Sequence, residues 1–118
     1  MSVKVYQYPK CSTCRKALRW LEAHGVEVET IDITEHPPSK AALERYWKAS
    51  GLPLKKLFNT AGQSYRKGGF KDRLGTMSEA DQLAALALDG KLIKRPIVVH
   101  GDTVLVGFSA DRYAEAFG

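Results

Sequence analysis

Apolar and polar positions alternate along Val3-Lys4-Val5-Tyr6-Gln7-Tyr8, and the apolar ones are β-branched or aromatic. That period of two predicts a first β-strand. Pro9 and Lys10 break it. From about Thr13 to His24 the spacing changes: Cys14, Ala17, Leu18 and Leu21 fall at i, i+3, i+4 and i+7, the buried stripe of a helix. Gly25 follows as its C-terminal cap. Glu27 to Ile33 returns to strand character, so residues 3–33 read as a βαβ unit with parallel strands and the helix over one face.

Pro37-Pro38 stops the second strand, and Ser39 is a good N-cap for a helix carrying Ala42, Leu43, Tyr46 and Trp47 as far as Ser50-Gly51. Pro53 opens a short helix through Leu57-Phe58. Gly62, Gly68 and Gly69 then punctuate a basic stretch expected to be irregular. Ser78 caps another helix with Leu83, Leu86 and Ala87 on one face, stopped by Asp89-Gly90. Ile97-Val98-Val99 and Val104-Leu105-Val106 are strands joined by a Gly101-Asp102 hairpin turn, and Ser109 caps a last helix through Tyr113 and Phe117. The order is βαβ, a helical block over about 37–92, then ββα. It predicts one α/β domain over 1–118, with a mixed sheet, helices on both faces and an internal helical insertion.

Composition adds limits. At 118 residues, 44% hydrophobic and 26% charged, the chain suits one globular domain without staples. No stretch approaches the roughly 18 apolar residues of a membrane span. Lys4 and Lys10 bracket a strand rather than precede an apolar core, so neither export nor membrane association is expected and the expected location is the cytoplasm. Of the net charge of +5, residues 55–73 hold all of the excess: Lys55, Lys56, Arg66, Lys67, Lys71 and Arg73 against Asp72. Such a block suits an acidic protein surface or a polyanion, and equally a solvated loop face. No recognition motif accompanies it, so direct nucleic-acid binding is not expected.

The candidate chemistry is Cys11-Ser12-Thr13-Cys14, which holds both cysteines of the chain at a strand-to-helix turn. One helical turn brings two thiols at this spacing together, and a helix N-terminus offers free N–H groups and partial positive charge to a thiolate. Cys11, at or just before the helix start, is expected to be the exposed, low-pKa attacking thiol. Cys14, on the apolar face, is expected to be the shielded resolving thiol. Lowering a thiol pKa from near 8.5 to near 7 raises its ionised share at pH 7 from about 3% to about half. Lys10, Arg15 and Lys16 add positive charge close by in sequence. The plainer alternative makes Cys14 a small core residue and Cys11 incidental. In a reducing compartment, at the first helix of a βαβ unit, redox chemistry is the stronger reading. A zinc site would need two more ligands, and His24, His36 and His100 show no metal-ligand spacing. Arg95-Pro96, just before an apolar strand, is the second signal: Arg95 as a guanidinium for an anion, Pro96 as a residue shaping the surface beside the thiols.

Tyr8-Pro9-Lys10-Cys11-Ser12-Thr13-Cys14-Arg15-Lys16-Ala17, Pro37-Pro38-Ser39 and Leu92-Ile93-Lys94-Arg95-Pro96-Ile97 together resemble the arsenate reductase-like (ArsC) family, most of all its Spx/MgsR branch. The resemblance spans essentially the whole chain. It implies a thioredoxin fold with a helical insertion, a cis-proline at Pro96, and an attacking cysteine at Cys11. The family's glutaredoxin-coupled arsenate reductases have serine where Cys14 stands and use three arginines around the oxyanion. Arg95 matches one of the three, Asn59 and Gly107 fall where the other two would be, and Gln7 falls where a histidine assists the thiol, so efficient arsenate reduction is not expected of this chain. Two functions follow from the resemblance. One is a thiol-disulfide oxidoreductase with catalytic Cys11, Cys14 and Arg95, no bound cofactor or metal, and glutathione or a dithiol protein as electron donor. The other is a redox-sensing regulator that binds the C-terminal domain of the RNA polymerase α subunit, as Spx does. The chain ends at Gly118, without the longer C-terminal extension of Spx, so Spx-type turnover is not expected.

Overall fold

The computed structural model describes residues 3–117. Four strands form one sheet: β1 (Val3–Gln7), β2 (Val28–Asp32), β3 (Ile97–His100) and β4 (Thr103–Val106), in the order β2-β1-β3-β4. β1 pairs parallel with β2 and antiparallel with β3, and β3 pairs antiparallel with β4. Helix α1 (Ser12–Ala23) makes the crossover between the two parallel strands. With α6 (Ala110–Phe117) it covers one face of the sheet, while α2 (Lys40–Ser50), α3 (Gln63–Lys67), α4 (Phe70–Arg73) and α5 (Glu79–Leu88) lie on the other. The fold is α/β and thioredoxin-like, with a mixed sheet, as the resemblance implied.

Alternation along the strands builds the two cores. Val5, Val98 and Leu105 stand opposite one another across β1, β3 and β4, and pack with Ala17 and Leu21 of α1 and Tyr113 of α6. One position along, Tyr6, Ile97 and Val106 line up on the opposite face against the helical block. A slip of one residue would exchange the two sets, so burial on both faces fixes the register. No described helix is long and apolar enough to cross a membrane.

The expected caps are in place. Cys11 is the N-cap of α1, and Ser39 and Ser78 each accept a backbone N–H of the helix that follows. Gly25, at φ +71°, ends α1 in a Schellman motif: its N–H donates to Glu22, and Val26 N–H to Leu21. The stretch read as irregular differs. Residues 63–76 fold into α3, α4 and a 3₁₀ turn (Leu74–Thr76). Helices of four and five residues are too short to show a period or to hold by themselves. Tertiary packing supplies what they lack: Tyr65 and Phe70 are buried with Phe58, their rings 5.7–6.4 Å apart.

The helical block is tied to the sheet just before β3. Phe58 forms an antiparallel bridge with Ile93, flanked by Asn59 N–H to the Leu92 carbonyl at 2.8 Å and Lys94 N–H to the Leu57 carbonyl at 2.7 Å. This clamp lies next to Arg95-Pro96, and it carries Asn59 there across more than thirty residues of sequence.

Candidate functional site

Cys11 leaves β1 through a turn in which its N–H donates to the Tyr8 carbonyl at 3.0 Å. Its backbone is extended (φ −93°, ψ 115°) while its carbonyl accepts the first intrahelical bond, from Arg15 at 3.1 Å. The sulfur therefore sits where a capping oxygen would. It accepts the Cys14 N–H at 3.3 Å, and no acidic residue occupies the first turn to oppose a thiolate. Cys14 lies one turn on and is fully buried; both thiols are free.

The two environments separate the two thiols. Burial by itself would raise the Cys11 pKa. Hydrogen bonds from the Cys14 thiol and backbone, together with the Arg95 guanidinium, outweigh it and hold Cys11 below its ordinary value. Burial is also the largest influence on Cys14, and there the neighbouring Cys11 reinforces it, so Cys14 is pushed up to about 12. One sulfur is set to ionise and the other to keep its proton.

Arg95 reaches the thiols from the clamp before β3. Its guanidinium carbon lies 5.1 Å from the centre of the Tyr8 ring, and Nη1 donates to the Lys91 carbonyl at 3.5 Å. The Arg95-Pro96 bond is cis. Pro96 is buried, and its carbonyl accepts the Gly107 N–H at 2.8 Å. Gly107 (φ +80°) ends β4, and its carbonyl accepts the buried Tyr113 hydroxyl at 2.7 Å. A Cβ on Gly107 would stand 3.3 Å from Cε of Lys94, so the bare glycine gives that side chain room to lie along the site.

Cys11 and Arg95 open into one cleft of about 390 Å³, which Asn59, Lys94 and Arg112 also line. The four residues singled out from sequence thus divide. Cys11 and Arg95 face the cleft, while Cys14 and Pro96 support it from beneath. Lys10, Arg15 and Lys16 are exposed and stand outside it, so the main cation acting on Cys11 is Arg95, distant in sequence, rather than its chain neighbours. The basic block also divides. Lys67 borders a groove of about 410 Å³ on the Tyr8 side of Arg95, Lys55 and Lys71 border a different groove beside Trp47, and Arg73 is spent locally on the Gly68 carbonyl and the Phe70 ring.

Lys94 and Arg112 were not legible as site residues, and Asn59 only through the resemblance. Lys94 had only its adjacency to Arg95 as a signal. Arg112 had only its place in the first turn after Ser109, and Asn59 had only its match, by resemblance, to the place of a family oxyanion arginine; the Phe58–Ile93 bridge is what brings it there.

The ArsC family model matches residues 6–116. The protein YusI of Bacillus subtilis (strain 168) is 53% identical over 115 residues, spanning 98% of both chains. An arsenate reductase of Rhizobium meliloti is 31% identical, covering 84% of this chain and 69% of that one. The regulatory protein MgsR of Bacillus subtilis is 26% identical, covering 88% and 81%. Among solved structures, a putative ArsC family related protein from Bacteroides fragilis superposes with a TM-score of 0.94 at 42% identity, covering 98% and 97%. By its sequence over almost its full length and by its fold, the chain belongs to the ArsC family.

Proposed function

We propose that the protein is a thiol-disulfide oxidoreductase of this family. The observation that carries the reading is the asymmetry of the pair: a capping, part-exposed Cys11 held below the ordinary thiol pKa beside a buried, protonated Cys14. In the reaction, the Cys11 thiolate attacks one sulfur of a disulfide R–S–S–R, forms Cys11–S–S–R and releases one R–S⁻, which takes a proton from water. Bonding to R also removes the negative charge on Cys11, and with it part of what raised the Cys14 pKa. Cys14 then gives up its proton, attacks the Cys11 sulfur and releases the second R–S⁻. Two protein thiols are oxidised to one disulfide, and one substrate disulfide is reduced to two thiols. Glutathione or a dithiol protein returns the pair to the reduced state. Arg95 holds the thiolate and orients an anionic group, and Pro96 shapes the floor beside it.

Arsenate turnover is expected to be slow, because a compact multiply charged oxyanion calls for several converging guanidiniums and Arg95 is the arginine held against Cys11. The test is turnover of a small disulfide with a dithiol donor. Cys11→Ser should abolish it, and Cys14→Ala mixed with the disulfide in the absence of donor should stall at a mixed disulfide visible as added mass. Unchanged turnover in Cys11→Ser would sink the proposal.

Relatedness to the regulatory protein MgsR supports a second reading, a redox sensor that docks on the RNA polymerase α subunit. A pull-down on the α C-terminal domain decides it, with oxidised and reduced protein compared. No retention in either state removes it.

A further inference from the structure

The cleft at Cys11 is lined by Lys94, Arg95 and Arg112 and by no carboxylate. The adjoining groove, on the other side of Arg95, adds Lys67 and Lys91, again without a carboxylate. A chain of net charge +5 shows lysines in most of its grooves, so the missing acids are the telling feature. Grooves elsewhere carry them: Glu22 and Glu27 beside β2, Glu79 beside Trp47, Asp102 and Glu115 beside β4. Arg112 borders that last groove as well as the cleft, yet among the described residues neither it, Lys94 nor Arg95 lies within 4.0 Å of a carboxylate, the ion pair found being Lys48–Glu44 within helix α2. Three cations thus line the cleft that holds the attacking sulfur, none of them paired with a carboxylate. Gly107 clears the space along which Lys94 lies.

Size narrows the occupant. About 390 Å³ is the volume of a small-molecule site and too little for a folded surface to enter. Lys94 and Arg112 are exposed, long and flexible, so they suit charge carried some distance from the reacting sulfur rather than a compact oxyanion at it.

We propose that this cleft selects its substrate by charge: it takes small disulfides bearing carboxylates, with Lys94, Arg95 and Arg112 receiving a carboxylate while Cys11 attacks the sulfur. The inference rests on the oxidoreductase reading above and follows the same two-step exchange. The second half of a symmetric anionic disulfide lies toward Lys67 and Lys91.

The test uses the whole reduced protein and three disulfides of similar size: dithiodiglycolate (anionic), 2-hydroxyethyl disulfide (neutral) and cystamine (cationic). Rates of thiol release are divided by the rates of the same disulfides with dithiothreitol, which removes their intrinsic reactivity. The expected order is anionic, neutral, cationic, with about tenfold between the first two at low salt, shrinking as salt screens the cleft. Combining Lys94→Gln with Arg112→Gln should lower the anionic-to-neutral ratio at least threefold, a margin set by the same steering range. Arg112→Glu should move the preference toward cystamine, and Lys16→Gln, outside the cleft, should leave the order intact. Equal normalised rates for the three disulfides, or an anionic preference untouched in the double variant, would overturn charge selection while leaving the oxidoreductase reading in place. No reaction of Cys11 with any of the three would remove both.

Discussion

At the scale of single residues, the chemistry rests on where two identical thiols sit. Cys11 owes its lowered pKa to the Cys14 thiol and N–H and to Arg95, acting against burial, and so its alkylation should be measurable below the usual thiol range. Iodoacetamide modification followed against pH should give a midpoint below about 8.5, the unperturbed thiol value. Arg95→Gln should move that midpoint up, because a lost cation disfavours the thiolate. A midpoint unchanged by the substitution would mean that Arg95 does not act on the sulfur. Cys14 has the opposite sign. In the folded state it keeps its proton to about 12, whereas the unfolded thiol releases it near roughly 8.5. Its contribution to stability is complete below the unfolded value and is lost as pH rises from there toward 12. Urea unfolding of the reduced protein between pH 7 and 10 should show the wild type losing ground to Cys14→Ala as pH rises.

At the scale of elements, caps and turns do most of the positioning. Gly25 takes φ +71°, and nothing lies within 4 Å of the place a methyl group would occupy there. Gly25→Ala therefore carries only the left-handed backbone cost of about 1–2 kcal/mol, readable as a lowered urea midpoint with unchanged slope. The Ser39 hydroxyl accepts the Ala42 N–H at 3.1 Å, and Ser39→Ala should cost about 1 kcal/mol by the same measurement. These elements could be read from local signals, because a cap is a matter of one side chain and its own turn. The Gly101-Asp102 turn was legible for the same reason: Gly101 at φ +58° supplies the backbone that the tight link between β3 and β4 needs. Helices α3 and α4 were not, since their stability comes from Tyr65 and Phe70 packing against a phenylalanine brought from outside both helices.

At the scale of the whole molecule, a few long-range contacts hold the site together. Gly90 looked like a helix stop, yet its larger role is close approach. A Cβ there would stand 1.9 Å from the Ile33 carbonyl oxygen at the end of β2, a backbone atom that cannot turn aside. Gly90→Ala should therefore cost on the order of 3 kcal/mol by forcing the helical block away from the sheet, more than Gly25→Ala despite the same added methyl. Comparing the urea midpoints of the two variants checks that order. The Tyr113 hydroxyl, buried and bonded to the Gly107 carbonyl, fixes α6 to the end of β4 beside the cleft. Tyr113→Phe should cost about 1–3 kcal/mol by leaving that carbonyl unpaired.

The sequence by itself determined the order of the four strands and the four longer helices, the faces they bury, the caps and hairpin turn, and the two thiols at a helix start. Each of these depends on periods of two or 3.6, or on interactions within one turn of chain, and such information is complete in a short stretch. Only the tertiary structure decided that Arg95, ahead of Lys10, Arg15 or Lys16, is the main cation acting on Cys11, and that Lys94 and Arg112 share its cleft. Those choices hang on the Phe58–Ile93 bridge and the Pro96–Gly107 and Tyr113–Gly107 bonds, which join segments whose separation along the chain carries no local trace of their meeting.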